Sequence, residues 1–227
     1  MKLTTVTITG VDERTHAYDL CELHADFPFV EWGVLLSASR EGKDPRYPAQ
    51  WWIQSLLDRT DGLPLAGHLC GSYSRDAISG AFLWAIEHPE QFRRFRRLQL
   101  NGAKWGIETA ARLSKYKDRF PAKEFIVQVD WFPNGQFDDL AFLLDRSGGR
   151  GVEITKFPAP PDGVRCGYAG GLGPDNLEKA LAAITALPGD GAVWVDMESQ
   201  VRTDDWLDLA KVRRCLEIAR PFVEGVQ

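Results

Sequence analysis

Apolar residues come in short blocks at eight points of the chain: 3–9, 30–37, 65–70, 98–101, 124–130, 140–145, 166–169 and 192–196. The first alternates threonine with apolar side chains, and most of the others are almost wholly apolar inside; both patterns predict strands. Helical spacing fills most of the gaps. One helix is expected from an N-cap at Asp12 to about His24, and Pro48 opens another carrying Trp51, Trp52, Ile53, Leu56 and Leu57. Ser74 caps a third over 75–87, a fourth covers 107–116 and a last one 205–219. The charged loop 39–46, the glycine-rich 147–151 and the segment 158–162 read as connections, and 131–139 is too short for a long helix.

The stretch around which the rest is organised is Gly167-Tyr168-Ala169-Gly170-Gly171-Leu172-Gly173-Pro174-Asp175-Asn176. A short strand ends in paired glycines, and a helix is expected to open at Pro174, with Asp175 in its first turn. Proline has no N–H to leave unpaired there, and glycine lets backbone approach a ligand closely. N–H groups at a helix start, with the positive end of the dipole, hold anions. Backbone around Gly170, Gly171 and Gly173 is therefore the candidate phosphate site. A tight strand-to-helix turn without a ligand is the other reading of the same residues.

Strands alternating with helical patterns imply parallel β/α units, and eight in this length close as a (β/α)8 barrel. An α/β chain forming one TIM-barrel domain over 1–227 is the expectation, with an open doubly wound sheet as the competing architecture. In a barrel the C-terminal strand ends share one mouth. The polar residues there are Thr9, Ser37, His68 with Cys70, Asn101, Asp130, Asp145, and Asp196 with Glu198. Asp145 leaves an apolar strand, where burial favours a raised pKa and proton transfer. His68 and Cys70 lie two apart and so share a face; histidine titrates near neutral pH, which makes His68 the favoured partner base. The loop after the seventh strand is the usual place for a phosphate in this architecture.

Composition narrows the field. The chain has 227 residues, 44% hydrophobic, with a net charge of −5, so no global field attracts nucleic acid or an anionic membrane. The run Arg93-Arg94-Phe95-Arg96-Arg97 reads as a solvated helix end leading into a strand. Four separated cysteines make neither a zinc site nor a disulfide framework. No leader and no apolar stretch near 18 residues is visible; the expectation is a cytoplasmic protein with a small-molecule substrate, no metal and no cofactor. The oligomeric state is left open.

Several of these stretches, in order, resemble the phosphoribosylanthranilate isomerase family, (β/α)8 enzymes of tryptophan synthesis. Val6-Thr7-Ile8-Thr9-Gly10-Val11-Asp12 is similar to the family's V-K-I-C-G-I-T, and Asp44-Pro45-Arg46-Tyr47 to its S-K-R-Y. Leu143-Leu144-Asp145 with Gly148-Gly149-Arg150-Gly151 resembles L-L-D followed by G-G-S-G. Ala169-Gly170-Gly171-Leu172-Gly173-Pro174-Asp175-Asn176 is close to A-G-G-L-x-P-E-N, and 195–202 is a weakened D-x-S-S-G-V-E. The resemblance implies a phosphorylated substrate, Asp145 as general acid, Arg46 on a substrate carboxylate, and loops seven and eight, Ser199 included, on the phosphate.

The resemblance also marks departures. The family's basic cysteine falls on Thr9, whose hydroxyl does not ionise near neutral pH, whereas a thiol can be tuned to. Glu198-Ser199-Gln200 replaces Ser-Ser-Gly, setting a carboxylate where a phosphate wants N–H groups. Asn101 stands where the family's Q-L-H-G has histidine. The leading expectation is thus an isomerase-like barrel using acid–base chemistry on a small phosphorylated or carboxylated substrate. The alternatives are the family reaction with a substitute base, and a non-catalytic ligand-binding barrel.

Overall fold

The computed structural model describes residues 1–102, 107–134, 137, 140–146, 156–223 and 225. Eight parallel strands follow one another around a closed barrel: β1 (Lys2–Thr9), β2 (Val30–Leu36), β3 (Leu65–Leu69), β4 (Arg97–Leu100), β5 (Glu124–Val129), β6 (Leu140–Leu144), β7 (Arg165–Tyr168) and β8 (Ala192–Met197). β1 pairs with β8 and shuts it. The open sheet is thereby excluded. Helices α1 (Ala17–Asp26), α2 (Gln50–Arg59), α3 (Ser72–Ser79), α4 (Leu83–Glu87), α5 (Pro89–Arg94), α6 (Ile107–Arg119), α7 (Leu177–Thr185) and α8 (Leu209–Ala219) occupy the connections.

β2, β3, β4 and β6 are buried along their whole length, as parallel strands covered on both faces must be. One face of each strand packs under the helices, with Leu36, Leu98, Phe125, Phe142 and Val195 in one large apolar cluster. The other face fills the barrel. Ile126, Ala141, Leu143, Ala169 and Trp194 form a separate small cluster there.

The N-terminal layer of the interior is charged. Arg97 donates to Glu31 (2.7 Å) and Glu124 (2.6 Å), Thr7 donates to Glu31, and Arg165 pairs with Glu124 at 2.8 Å. The Arg97 guanidinium lies 4.3 Å over the Trp194 ring, and its remaining nitrogen has no hydrogen-bond partner. The indole in turn fills the space beside Gly167, where a Cβ would sit 2.1 Å from it. Arg97 is therefore no solvated helix end: the strand period turns it inward, and only Arg93 and Arg96 of the basic run are exposed.

Other expectations shift for local reasons. Asp12 does not cap α1, which starts at Ala17; it is buried and accepts from Arg202 and from the Leu207 N–H. α2 opens at Gln50, past Pro48. The helix expected over 75–87 divides, because Gly80 and Phe82 both adopt left-handed backbone. For Phe82 that conformation is unfavourable, and its ring is held among Trp84, Phe92, Tyr116 and Phe125. α7 begins at Leu177, since Pro174 to Asn176 form a turn. The last helix begins at Leu209, capped by Asp208. The hairpin β9 (Arg202–Thr203) and β10 (Trp206–Leu207) replaces the helical turn expected from Asp205, with Asp204 and Asp205 both at positive φ. The glycine-rich stretch 147–151 lies outside the described residues.

Candidate active site at the C-terminal mouth

Above the charged layer the barrel opens into a cavity of about 480 Å³ counted to its open mouth. Thr9, His68, Asn101, Asp145, Gly170, Gly171, Asp196, Glu198 and Ser199, all expected, line it. Their arrival from six strand ends follows from register: residues of one parity face inward, and the last of them meet at the top.

Gln99 and Gln128 also line the cavity, and strand-end reasoning missed both. Each sits inside its strand, two residues before Asn101 and Asp130, so the period-2 rule alone would have found them. Gln99 Nε2 donates to Asn101 Oδ1 (2.8 Å) and lies 3.2 Å from His68 Nδ1. Gln128 Nε2 donates to Asp145 Oδ2 (2.7 Å), while its Oε1 accepts from the Gly102 N–H. Amides thus orient both the imidazole and one carboxylate.

Thr9 Oγ1 donates to Asp196 Oδ1 at 2.6 Å. Beside Thr9 on the neighbouring strand is Gly33, where a Cβ would lie 2.5 Å from Thr9 Oγ1 and 3.1 Å from His68 Nε2. The missing side chain lets the hydroxyl and the imidazole approach across β2.

Burial pushes the Asp196 carboxyl up to about 8; the Thr9 bond opposes this, and the charges of Glu198 and Asp145 add to it. A carboxylic acid is therefore still protonated in this cavity at neutral pH. Glu198 is raised mainly by burial, with Arg46 pulling the other way. His68 is pushed down to about 3 by burial and then by the charge of Arg97 below it. That shift argues against the base role expected for His68, since it makes the imidazole a weaker proton acceptor.

Four expected residues stand elsewhere. Asp130 follows the end of β5, is exposed and does not line the cavity. Cys70 lies past β3, accepts from Asn101 Nδ2 at 3.4 Å and has a thiol pushed up mainly by burial. Gly173 donates its N–H to Asn176 Oδ1 (2.9 Å), and Asn176 Nδ2 donates to Gly171 O. That N–H closes the turn and is not offered to an anion. Arg46 reaches Glu198 (2.8 Å), Asp205 (2.7 Å) and Ser199 Oγ (3.4 Å) from outside the lining. Its charge already meets two carboxylates, which ties the loop after β2 to the loop after β8.

At the seventh strand, the N–H groups of Gly170, Gly171 and Leu172 donate to no protein acceptor among the described residues, while the Ala169 N–H is held by Leu144 O. Gly170 and Gly171 both have positive φ. Among the described residues no group of three His, Cys, Asp or Glu has metal-site geometry, and no helix is long and apolar enough to cross a membrane.

No known family model and no curated protein matches this chain. Among solved structures, N-(5'-phosphoribosyl)anthranilate isomerase from Pyrococcus furiosus aligns with a TM-score of 0.58 at 14% identity, over 96% of this chain and 99% of that one. The likeness is one of fold. UMP synthase from Leishmania donovani aligns at 0.49 and 11% identity, over 95% of this chain and 53% of that one. A putative spore coat polysaccharide biosynthesis protein E from Chromobacterium violaceum aligns at 0.46 and 15%, over 96% and 74%. Those two alignments carry no argument. What the comparisons add is the (β/α)8 fold alone.

Proposed function

We propose that this barrel is an enzyme that moves protons on a small anionic substrate, with Asp196 as the proton donor and Asp145 as the acceptor. The observation that carries the reading is a fully buried carboxyl, bound to Thr9 and with its protonated form favoured by burial, in one cavity with a second carboxyl group held by an amide. Such a pair matches the division of labour in acid–base catalysis. Asp145 would take a proton from a carbon next to a carbonyl as Asp196 gives one to the carbonyl oxygen. Return of the protons at the neighbouring atoms completes an isomerisation with no net change in charge. The Gly170, Gly171 and Leu172 amides, with Ser199, would hold a phosphate or carboxylate of the substrate. His68 would act as a neutral hydrogen-bond partner.

Thr9 stands where the resemblance puts a basic cysteine, and its hydroxyl already donates to Asp196. A proton-transfer enzyme with its own acid is therefore favoured over the family reaction. One observation favours a different substrate: among the described residues three acidic side chains line the cavity, and the guanidinium bound to Glu198 is paired twice. That balance suits a neutral polyhydroxylated molecule gripped by Gln99, Asn101 and Gln128. Screening matched pairs of sugar phosphates and free sugars, together with small keto and hydroxy acids, separates the readings. Turnover of a phosphorylated or carboxylated member that declines above about pH 8, as Asp196 ionises, supports the first. Turnover of free sugars alone supports the second. Turnover unchanged in Asp196→Asn removes the acid from either.

A further inference from the structure

The opposite end of the barrel holds an open cavity of about 1340 Å³. Five cationic side chains line it, Arg96, Arg97, Lys117, Lys123 and Arg165, against two carboxylates, Glu31 and Glu124. On a chain with a net charge of −5, this is a local reversal of sign.

The cations fall into two groups. Arg97 is engaged by both carboxylates. Lys123 donates to the carbonyls of Phe92, Arg93 and Phe95 at the end of α5, and its ammonium sits deep enough that burial lowers it to about 8. These two are part of the framework. The other three keep donors to offer. Arg96 is exposed and makes no ion pair or side-chain hydrogen bond among the described residues. Arg165 commits one nitrogen to Glu124. Lys117 donates to the carbonyls of Pro121 and Lys123, which leaves one of its three protons.

We infer that this N-terminal mouth is a second anion site, which takes a small phosphorylated molecule with its phosphate between Arg96, Arg165 and Lys117. Two guanidinium forks and one ammonium supply donors in several directions, which fits a tetrahedral dianion better than a single planar carboxylate. The carbonyls that hold Lys117 and Lys123 fix those cations without cancelling their charge. An anion is what relieves the repulsion among them. The site is separated from the C-terminal mouth by the layer of Arg97, Glu31 and Trp194, so the inference stands independently of the reaction proposed there.

The test is calorimetric titration of the full chain with inorganic pyrophosphate at low salt. Binding is expected, weakened by salt because the site is open. Arg96→Ala should weaken it at least tenfold, and Arg96→Glu with Lys117→Ala should abolish this site. Asp196→Asn and Ser199→Ala, at the other mouth, should leave it unchanged. If loop seven also binds pyrophosphate, the wild type takes up two equivalents and the Arg96→Glu/Lys117→Ala variant retains one. No binding by the wild type, or equal binding by the wild type and that double variant, overturns the proposal. Both variants change side chains outside the apolar core, and an unshifted melting temperature verifies that they are folded.

Discussion

The two ends of this barrel treat buried charge in opposite ways. At the N-terminal end, opposite charges alternate: Thr7, Glu31, Arg97, Glu124 and Arg165 form one chain of hydrogen bonds and ion pairs, with Trp194 beneath the central guanidinium. At the C-terminal end like charges gather: Asp145, Asp196 and Glu198 share a cavity, and among the described residues Arg46 pairs with Glu198 from outside its lining. At Asp196 burial, and after it the neighbouring carboxylates, favour the protonated form. The first arrangement fastens a structure. The second leaves a proton available, which is the condition for acid–base chemistry.

The largest effect expected is at the fastening. Arg97→Met leaves Glu31 buried without its cation, while Glu124 keeps Arg165, and this should cost about 3–5 kcal/mol in chemical denaturation. A neutral result would mean that the lower charges are incidental and the contrast between the ends fails.

Next is Asp196→Asn, which should reduce turnover about a hundredfold or more once a substrate is in hand. Its effect on stability has a definite sign. The folded carboxyl titrates near 8, above the unfolded value, so the stability it contributes is present below about pH 4 and lost as pH rises through 8. The melting temperature of Asp196→Asn relative to the wild type should therefore climb between pH 5 and 8. A flat difference would show that Asp196 ionises normally.

Gly167→Ala probes the base of the interior. Its Cβ meets the Trp194 indole, and overpacking of this kind should destabilise by about 1–3 kcal/mol. Because the strain lies under the site, any loss of turnover should be small beside that of Asp196→Asn.

The smallest effect on turnover is at His68, where the expected change is one of stability in acid. With the folded pKa near 3, below the unfolded value, the stability it contributes is present above about pH 6.5 and lost as pH falls toward 3. His68→Gln should therefore lose less stability than the wild type between pH 6.5 and 4, seen as melting temperatures measured in parallel. Its pH–rate profile should match that of the wild type. A lost limb near pH 6.5 would return the base role to His68.

The barrel and most of its lining were legible in the order of residues. Eight apolar blocks separated by helical spacing close in only a few ways, and five of them end in or near a polar side chain that lines the cavity. Thr9, His68, Asn101, Asp145 and Asp196 were found by that local rule. The same rule held Gln99 and Gln128, hidden because they lie within their strands.

What only the tertiary structure decided is the sign and strength of the chemistry. Sequence position could not tell that burial, and then Arg97 beneath it, lowers His68, or that burial, and then Glu198 and Asp145, raises Asp196. Nor could it tell that Asn176 takes the Gly173 N–H, or that Arg46 is held by Glu198 and Asp205, 152 and 159 residues away. Strand period is a property of neighbouring residues. A pKa is set by burial and by charges brought from distant strands, and those meet only when the barrel closes.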